Sequence, residues 1–246
     1  MGFGDLFWPW GFVLQALALV HFFRRRPEGY WFFVIMFLGA LGALIYFVIE
    51  VAPDFDLLRG MFQRRSRKRR LAELDLIVQE NTAIGNVEEL ADLSFDEGQF
   101  ARARELYDKV LASSQVTSVD PYYRRGLSAL GLGDAAAAVR DLEHVVASEP
   151  KYDIYRAAGV LAHAYALAGQ HEQAEAQFKA ATGLSTLSET YYNYAAFLLA
   201  QQRPAEAREW AEKILAKKTT MPRFARRRER PWFNRAAALL KKIPSA

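Results

Sequence analysis

The sequence contains no cysteine. That excludes disulfides, thiolate metal sites and cysteine nucleophiles, and it leaves the redox compartment open. Histidine is scarce: His21, His144, His163 and His171 are the full set, and no two have metal-ligand spacing. A glycine-rich phosphate loop is missing as well, so neither a nucleotide-cradling turn nor a paired-histidine metal site can be read from the chain. No catalytic residue, cofactor site or metal site is expected, and the chain is not read as an enzyme.

Charge is missing from one long stretch. Tyr30 to Ile49 carries none over 20 residues, which as a helix would rise about 30 Å, the thickness of a bilayer's hydrocarbon core. Tyr30 and Trp31 mark one end, where amphipathic rings favour headgroups. Leu6 to Phe23 is a second apolar stretch, interrupted by Pro9, Gln15 and His21. A cleaved signal peptide is disfavoured, because no base precedes this stretch and Arg24-Arg25-Arg26 follows it. Residues 1–58 are therefore expected to form a membrane anchor of two transmembrane helices, about 6–23 and 30–51. Gly39 and Ala43, four apart, would offer a small-residue face for self-association.

Acids are missing from 59–70, a basic juxtamembrane linker with seven Lys/Arg, among them Arg64, Arg65, Arg67, Lys68, Arg69 and Arg70. These six are read as a lipid-facing cluster suited to anionic headgroups. Residues 71–216 reverse the sign with 12 bases and 22 acids, a net charge of 12 − 22 = −10. Residues 217–246 return to ten bases against Glu229. Two spans would place Arg24–Arg26 and the linker on opposite sides; the larger cluster favours an inner-membrane protein with a cytoplasmic C-terminal domain.

Residues 71–246 read as a helical repeat domain. Four segments align without gaps on a turn residue and an alanine five positions later: Gly98 with Ala103, Gly133 with Ala138, Gly169 with Ala174, Gln202 with Ala207. The alanines are 35, 36 and 33 residues apart. Apolar residues recur three and four apart, as in Ala103, Leu106, Tyr107 and Val110, giving a stripe that one repeat cannot bury alone. Asp120 is expected to cap a helix starting at Pro121, and Pro204 to open another. The expected repeats are about 84–115, 119–150, 155–186 and 188–216, preceded by an opening helix over Leu71 to Thr82 and followed by a closing helix over about 231–243.

This pattern resembles the tetratricopeptide repeat, a 34-residue pair of antiparallel helices with a small residue at their crossing. The resemblance implies an α-solenoid of about four helix pairs with a concave groove for an unidentified protein or peptide; with the transmembrane hairpin read from the apolar stretches, the expected fold is all-α. Groove positions carried over by the alignment are Tyr123, Arg124, Leu127, Arg156, His163, Tyr192, Asn193 and Leu199. The family's carboxylate-gripping variant is interrupted by Val160 and Glu89. The first 50 residues, with Arg24-Arg25-Arg26, Trp31, Gly42 and Tyr46, resemble the two-span module ahead of cardiolipin synthases and related phospholipase D proteins. None of the four histidines fits that family's His-x-Lys-x4-Asp motif. The expected function is a membrane-anchored interaction scaffold; a non-catalytic accessory role in a membrane-lipid system is the alternative. Nucleic-acid binding through the basic C-terminal segment is a third and less favoured reading, since no recognition motif accompanies it.

Overall fold

The computed structural model describes residues 3–25, 29–51, 56–114 and 117–243, with side chains over 10–23, 29–49, 66–114, 117–222 and 225–243. The described residues are all helix and connection. Contacts divide the chain into two units, Met1–Arg70 and Leu71–Ala246.

In the first unit, α1 (Phe3–Arg25) is followed by α2 (Tyr30–Phe37), α3 (Gly39–Tyr46) and a π-helical turn (Phe47–Val51). The single straight span expected over 30–51 is not what forms. Leu38 leaves the helical region (φ −94°, ψ 1°) and Gly39 takes φ +57°, a left-handed conformation that glycine adopts without a Cβ clash. The chain therefore doubles back. A Cβ on Gly42 would lie 2.1 Å from the Val34 carbonyl oxygen, and the rings of Trp31 and Tyr46 are 5.3 Å apart. Against α1 the course is the same: Gly11 meets Ala40 at the turn, while His21 Nδ1 lies 2.8 Å from the Tyr46 hydroxyl at the open end. Among the described residues no helix is long and apolar enough to cross a membrane. The expected Gly39/Ala43 packing face is also corrected, because Gly39 forms the turn and Ala43 is fully buried against Ala18, Trp31, Ile35 and Tyr46.

Breaking a helix leaves carbonyls without their usual partners, and in apolar surroundings that costs free energy. Gln15 supplies one donor, its Nε2 giving a 3.0 Å hydrogen bond to the Ile35 carbonyl. The polar interruption of the first apolar stretch thus serves the break in the second.

The second unit begins within α4 (Asp56–Glu80), so the basic linker is helical rather than a connector before a separate helix. Four antiparallel pairs follow: α5 (Ile84–Asp96) with α6 (Phe100–Leu111), α7 (Asp120–Gly131) with α8 (Ala135–Ser148), α9 (Tyr152–Leu167) with α10 (His171–Leu184), and α11 (Ser188–Ala200) with α12 (Pro204–Thr220). Ala103, Ala138, Ala174 and Ala207 are all fully buried, as close helix crossings require. Tyr107 and Phe178, four residues beyond two of these alanines, are fully buried too.

One hydrogen-bonding scheme closes each pair. The amide after the turn residue reaches back to the carbonyl five residues earlier: Gln99 to Ser94, Asp134 to Ala129, Gln170 to Tyr165 and Arg203 to Leu198, at 2.9, 2.9, 2.9 and 3.0 Å. The turn residue must then be left-handed. Glycine fills three of these places, but Gln202 holds φ +59° and is exposed. A Cβ there costs about 1–2 kcal/mol. Gln202→Gly is expected to stabilise the repeat unit by about 1 kcal/mol and raise its melting temperature by about 2–4 °C. Calorimetry giving an equal or lower temperature would refute the strain.

Two expected details change. Asp120 lies within the first turn of α7 and caps nothing with its side chain; it accepts hydrogen bonds from the Ser118 hydroxyl and the Tyr152 hydroxyl. A side-chain cap is found on the next helix, α8, where Asp134 accepts from the Ala137 amide at 3.0 Å. The closing helix, α13 (Arg223–Lys242), starts well before Pro231 and runs through it. Proline removes one backbone bond there, and exposed Arg227 and Arg228 lie in the turn that precedes it, where water can serve the freed carbonyl.

Candidate functional site

The first helices of successive repeats, α5, α7, α9 and α11, share a pocket of about 370 Å³. Its lining is Phe95, Tyr123, Arg124, Leu127, Tyr152, Asp153, Arg156, Val160 and Glu189. Of the groove positions expected from the sequence, Tyr123, Arg124, Leu127 and Arg156 come together here. His163, one helical turn beyond Val160, is half-buried, and burial pushes its pKa below the ordinary histidine value. Tyr192 packs beneath α13, its ring 5.7 Å from Trp232, and the Arg235 guanidinium lies over both rings. Leu199 joins the apolar clusters that include Leu240. Asn193, beside Tyr192, is half-buried. These three fourth-repeat positions fall outside the pocket lining.

The two guanidinium groups are braced by acids. Arg124 Nε lies 3.4 Å from Asp92, which also accepts the Tyr107 hydroxyl at 2.6 Å. Burial works against the Arg124 charge, but Asp92 and Tyr107 outweigh it and raise the pKa. Arg156 is held by Asp153 at 2.7 Å and by Glu189 at 3.4 Å. Burial raises the Glu189 carboxyl above its usual range, with Arg156 opposing and Asp153 adding. Glu88 is raised by burial, then by Asp92 and Asp120. The two guanidinium groups are thus held in place by Asp92, Asp153 and Glu189.

Tyr123 and Tyr152 supply the aromatic wall, their rings 4.9 Å apart. Burial raises both hydroxyl pKa values, so both remain donors. Tyr152 and Asp153 were not legible as site residues, because a left-handed stretch delivers them: Asp153, Ile154 and Tyr155 have φ of 46°, 56° and 62°. Ile154 is β-branched and 74% exposed, so no burial of its side chain offsets that backbone.

The remaining histidines have packing roles. His144 lies 4.2 Å from the Tyr122 ring, and His171 meets Gln201 and Phe197. Among the described residues no group of three or more His, Asp or Glu side chains could hold a metal ion. Of the basic cluster, Lys68, Arg69 and Arg70 are exposed and Arg67 is partly buried; the side chains of Arg64 and Arg65, like those of Arg24–Arg26, lie outside the described residues.

Residues 123–189 match a tetratricopeptide repeat family model and residues 188–213 match a second. The chain carries tetratricopeptide repeats in an α-solenoid. Both matches fall within the repeat unit, and the expected likeness of the first 50 residues to the cardiolipin synthase module finds no support in them. Similar solved structures include residues 41 to the end of MamA from Desulfovibrio magneticus RS-1 (21% identity, 68% of this chain and 93% of that one, TM-score 0.58). TTC0263, a thermophilic tetratricopeptide repeat protein of Thermus thermophilus, is 19% identical over 75% of this chain and 96% of its own, with a TM-score of 0.55. YrrB, described as a tetratricopeptide repeat protein with an unusual peptide-binding site, is 19% identical over 64% of this chain and 79% of its own, with a TM-score of 0.52. At these identities the likeness is one of fold. No curated protein matches the chain.

Proposed function

We propose that the chain is a membrane-attached interaction scaffold whose repeat unit takes an extended peptide in the Tyr123–Arg156 pocket. The observation that carries this is one pocket assembled from the first helices of four successive pairs, combining an aromatic wall with two oriented guanidinium groups. Such a wall stacks on side chains or peptide planes while the guanidinium groups donate to backbone carbonyls. A peptide-binding site in YrrB, a protein of the same fold, supports the reading.

Attachment rests on the polarity of the described side chains of 10–49, which is inverted. Among them, the hydrogen bonds from Gln15 and between His21 and Tyr46 point inward, while Phe12, Leu17, Phe33, Phe37, Leu41 and Ile49 are exposed. The repeat unit would then stand on the cytoplasmic side of the inner membrane, with Lys68, Arg69 and Arg70 toward anionic headgroups.

The test uses the full chain in detergent as bait, beside an Arg124→Ala/Arg156→Ala variant. Proteins captured by the native chain should be depleted about 30-fold or more with the variant, as for loss of a hot spot worth about 2 kcal/mol. Circular dichroism should show equal helix in both. Equal capture by two folded baits would remove the pocket from the function.

A further inference from the structure

From the doubled-back course of residues 30–51, we infer that this run is a re-entrant hairpin: it enters the acyl layer of a bilayer, turns at Leu38–Gly39 and returns to the face it came from. The inference rests on the membrane attachment proposed above and specifies how the contact is made.

Two features of the run point this way. The first is length. Each arm, α2 and α3, has eight residues, a rise of about 12 Å, which fits within one leaflet of a hydrocarbon core about 30 Å thick and cannot cross both. The second is surface. Phe37, at the turn, is 84% exposed, and Phe33, Met36, Leu41 and Leu44 continue an apolar exterior along both arms. Water would leave that apolar surface unburied, whereas acyl chains match it.

The interior answers the main objection to a bend at that depth. A broken helix in hydrocarbon needs substitutes for its missing backbone bonds, and re-entrant segments persist only where the protein supplies them. Here the Leu38 amide still reaches the Val34 carbonyl, the Gly42 amide reaches the Leu38 carbonyl, and Gln15 donates to Ile35. Gly42 lies against the Val34 backbone, so the arms pack closely.

The consequence is topological. Two straight spans would set Arg24–Arg26 and the bases of 64–70 on opposite sides, against the preference of both clusters for the cytoplasmic face. A hairpin that returns puts both clusters on one side, and the conflict disappears.

The cysteine-free chain makes the test direct. Gly29→Cys and Ser66→Cys, both exposed positions flanking the run, are introduced singly into the full chain in a bacterial inner membrane. Each is labelled with a membrane-impermeant maleimide in right-side-out and in inside-out vesicles. Both cysteines labelling in the same vesicle orientation, by about tenfold over the other, is the expected result. Labelling in opposite orientations would overturn the re-entrant course while leaving attachment intact. Recovery of the chain in the supernatant after carbonate extraction would overturn attachment itself, and the hairpin's insertion with it.

Discussion

A chain ending at Pro222 is expected to lose most of the stability of its last repeat. Helix α13 places Phe233, Leu239 and Ile243 in the core, with Leu240 partly buried, against Tyr191, Tyr194, Ala211 and Ile214. Four such side chains, at about 1.5–3 kcal/mol each, amount to roughly 6–12 kcal/mol. A domain of this size is typically stable by about 5–15 kcal/mol, so the loss is comparable to the whole. In a solenoid, however, neighbouring repeats share the load, and the expected outcome is selective: α11 and α12 unfold while the earlier pairs remain helical. Hydrogen exchange should show protection lost over 188–220 and kept over 84–148. The melting temperature of the last transition should fall by more than about 10 °C. If the truncated chain aggregates, Phe233→Ala tests the same packing at about 3–5 kcal/mol. An unchanged melting temperature in both variants would deny α13 its closing role. The same helix covers Tyr192, so truncation should also make that ring accessible.

The repeat register was legible in the sequence because it depends on local rules. An alanine at each crossing and a residue five positions earlier that tolerates a left-handed turn repeat with the fold, and both are buried or turned as the pattern demands. Half of the pocket was legible for the same reason, since Tyr123, Arg124, Leu127 and Arg156 occupy equivalent faces of successive first helices. What stayed hidden depends on backbone departures or on tertiary cover. Three consecutive left-handed residues without a glycine leave no propensity signal, so Tyr152 and Asp153 were invisible as site residues. Tyr192 and Leu199 occupy groove positions by register, yet α13 packs on them. That helix ran further than its Pro231 suggested. In the first unit, length and hydropathy describe the composition of 30–49 but not its path. Gly39 and Gly42 carried the information: one glycine turns the chain and the other admits the returning arm.

The second large effect concerns Arg125, which the sequence did not single out. On α7 it donates from Nε and Nη2 to the two carboxylate oxygens of Asp141 on α8, at 2.9 and 2.6 Å, and from Nη1 to Asp108 on α6 at 2.7 Å. Asp141 is 7% exposed, and the fork geometry fits its carboxylate with both oxygens engaged. The hydrogen bonds that Arg125 donates to Asp141 hold its pKa above the ordinary value despite burial. This one side chain therefore joins the second helix of the first pair to both helices of the next. Replacing it with methionine keeps the apolar stem and leaves Asp141 without its cation, a change expected to cost about 3–5 kcal/mol. By contrast, Arg104→Met, which removes a half-exposed pair with Asp134, should change the melting temperature little. The cost of the single variant comes mainly from the stranded carboxylate rather than from a lost attraction, which makes a further outcome predictable. The double variant Arg125→Met/Asp141→Leu should recover most of the stability, since an apolar pair of similar volume needs no desolvated charge. Urea unfolding of the native chain, both singles and the double would decide the matter. Equal losses for Arg125→Met and Arg104→Met would show that Asp141 finds water or another donor, and that the repeats are joined by their apolar stripe alone.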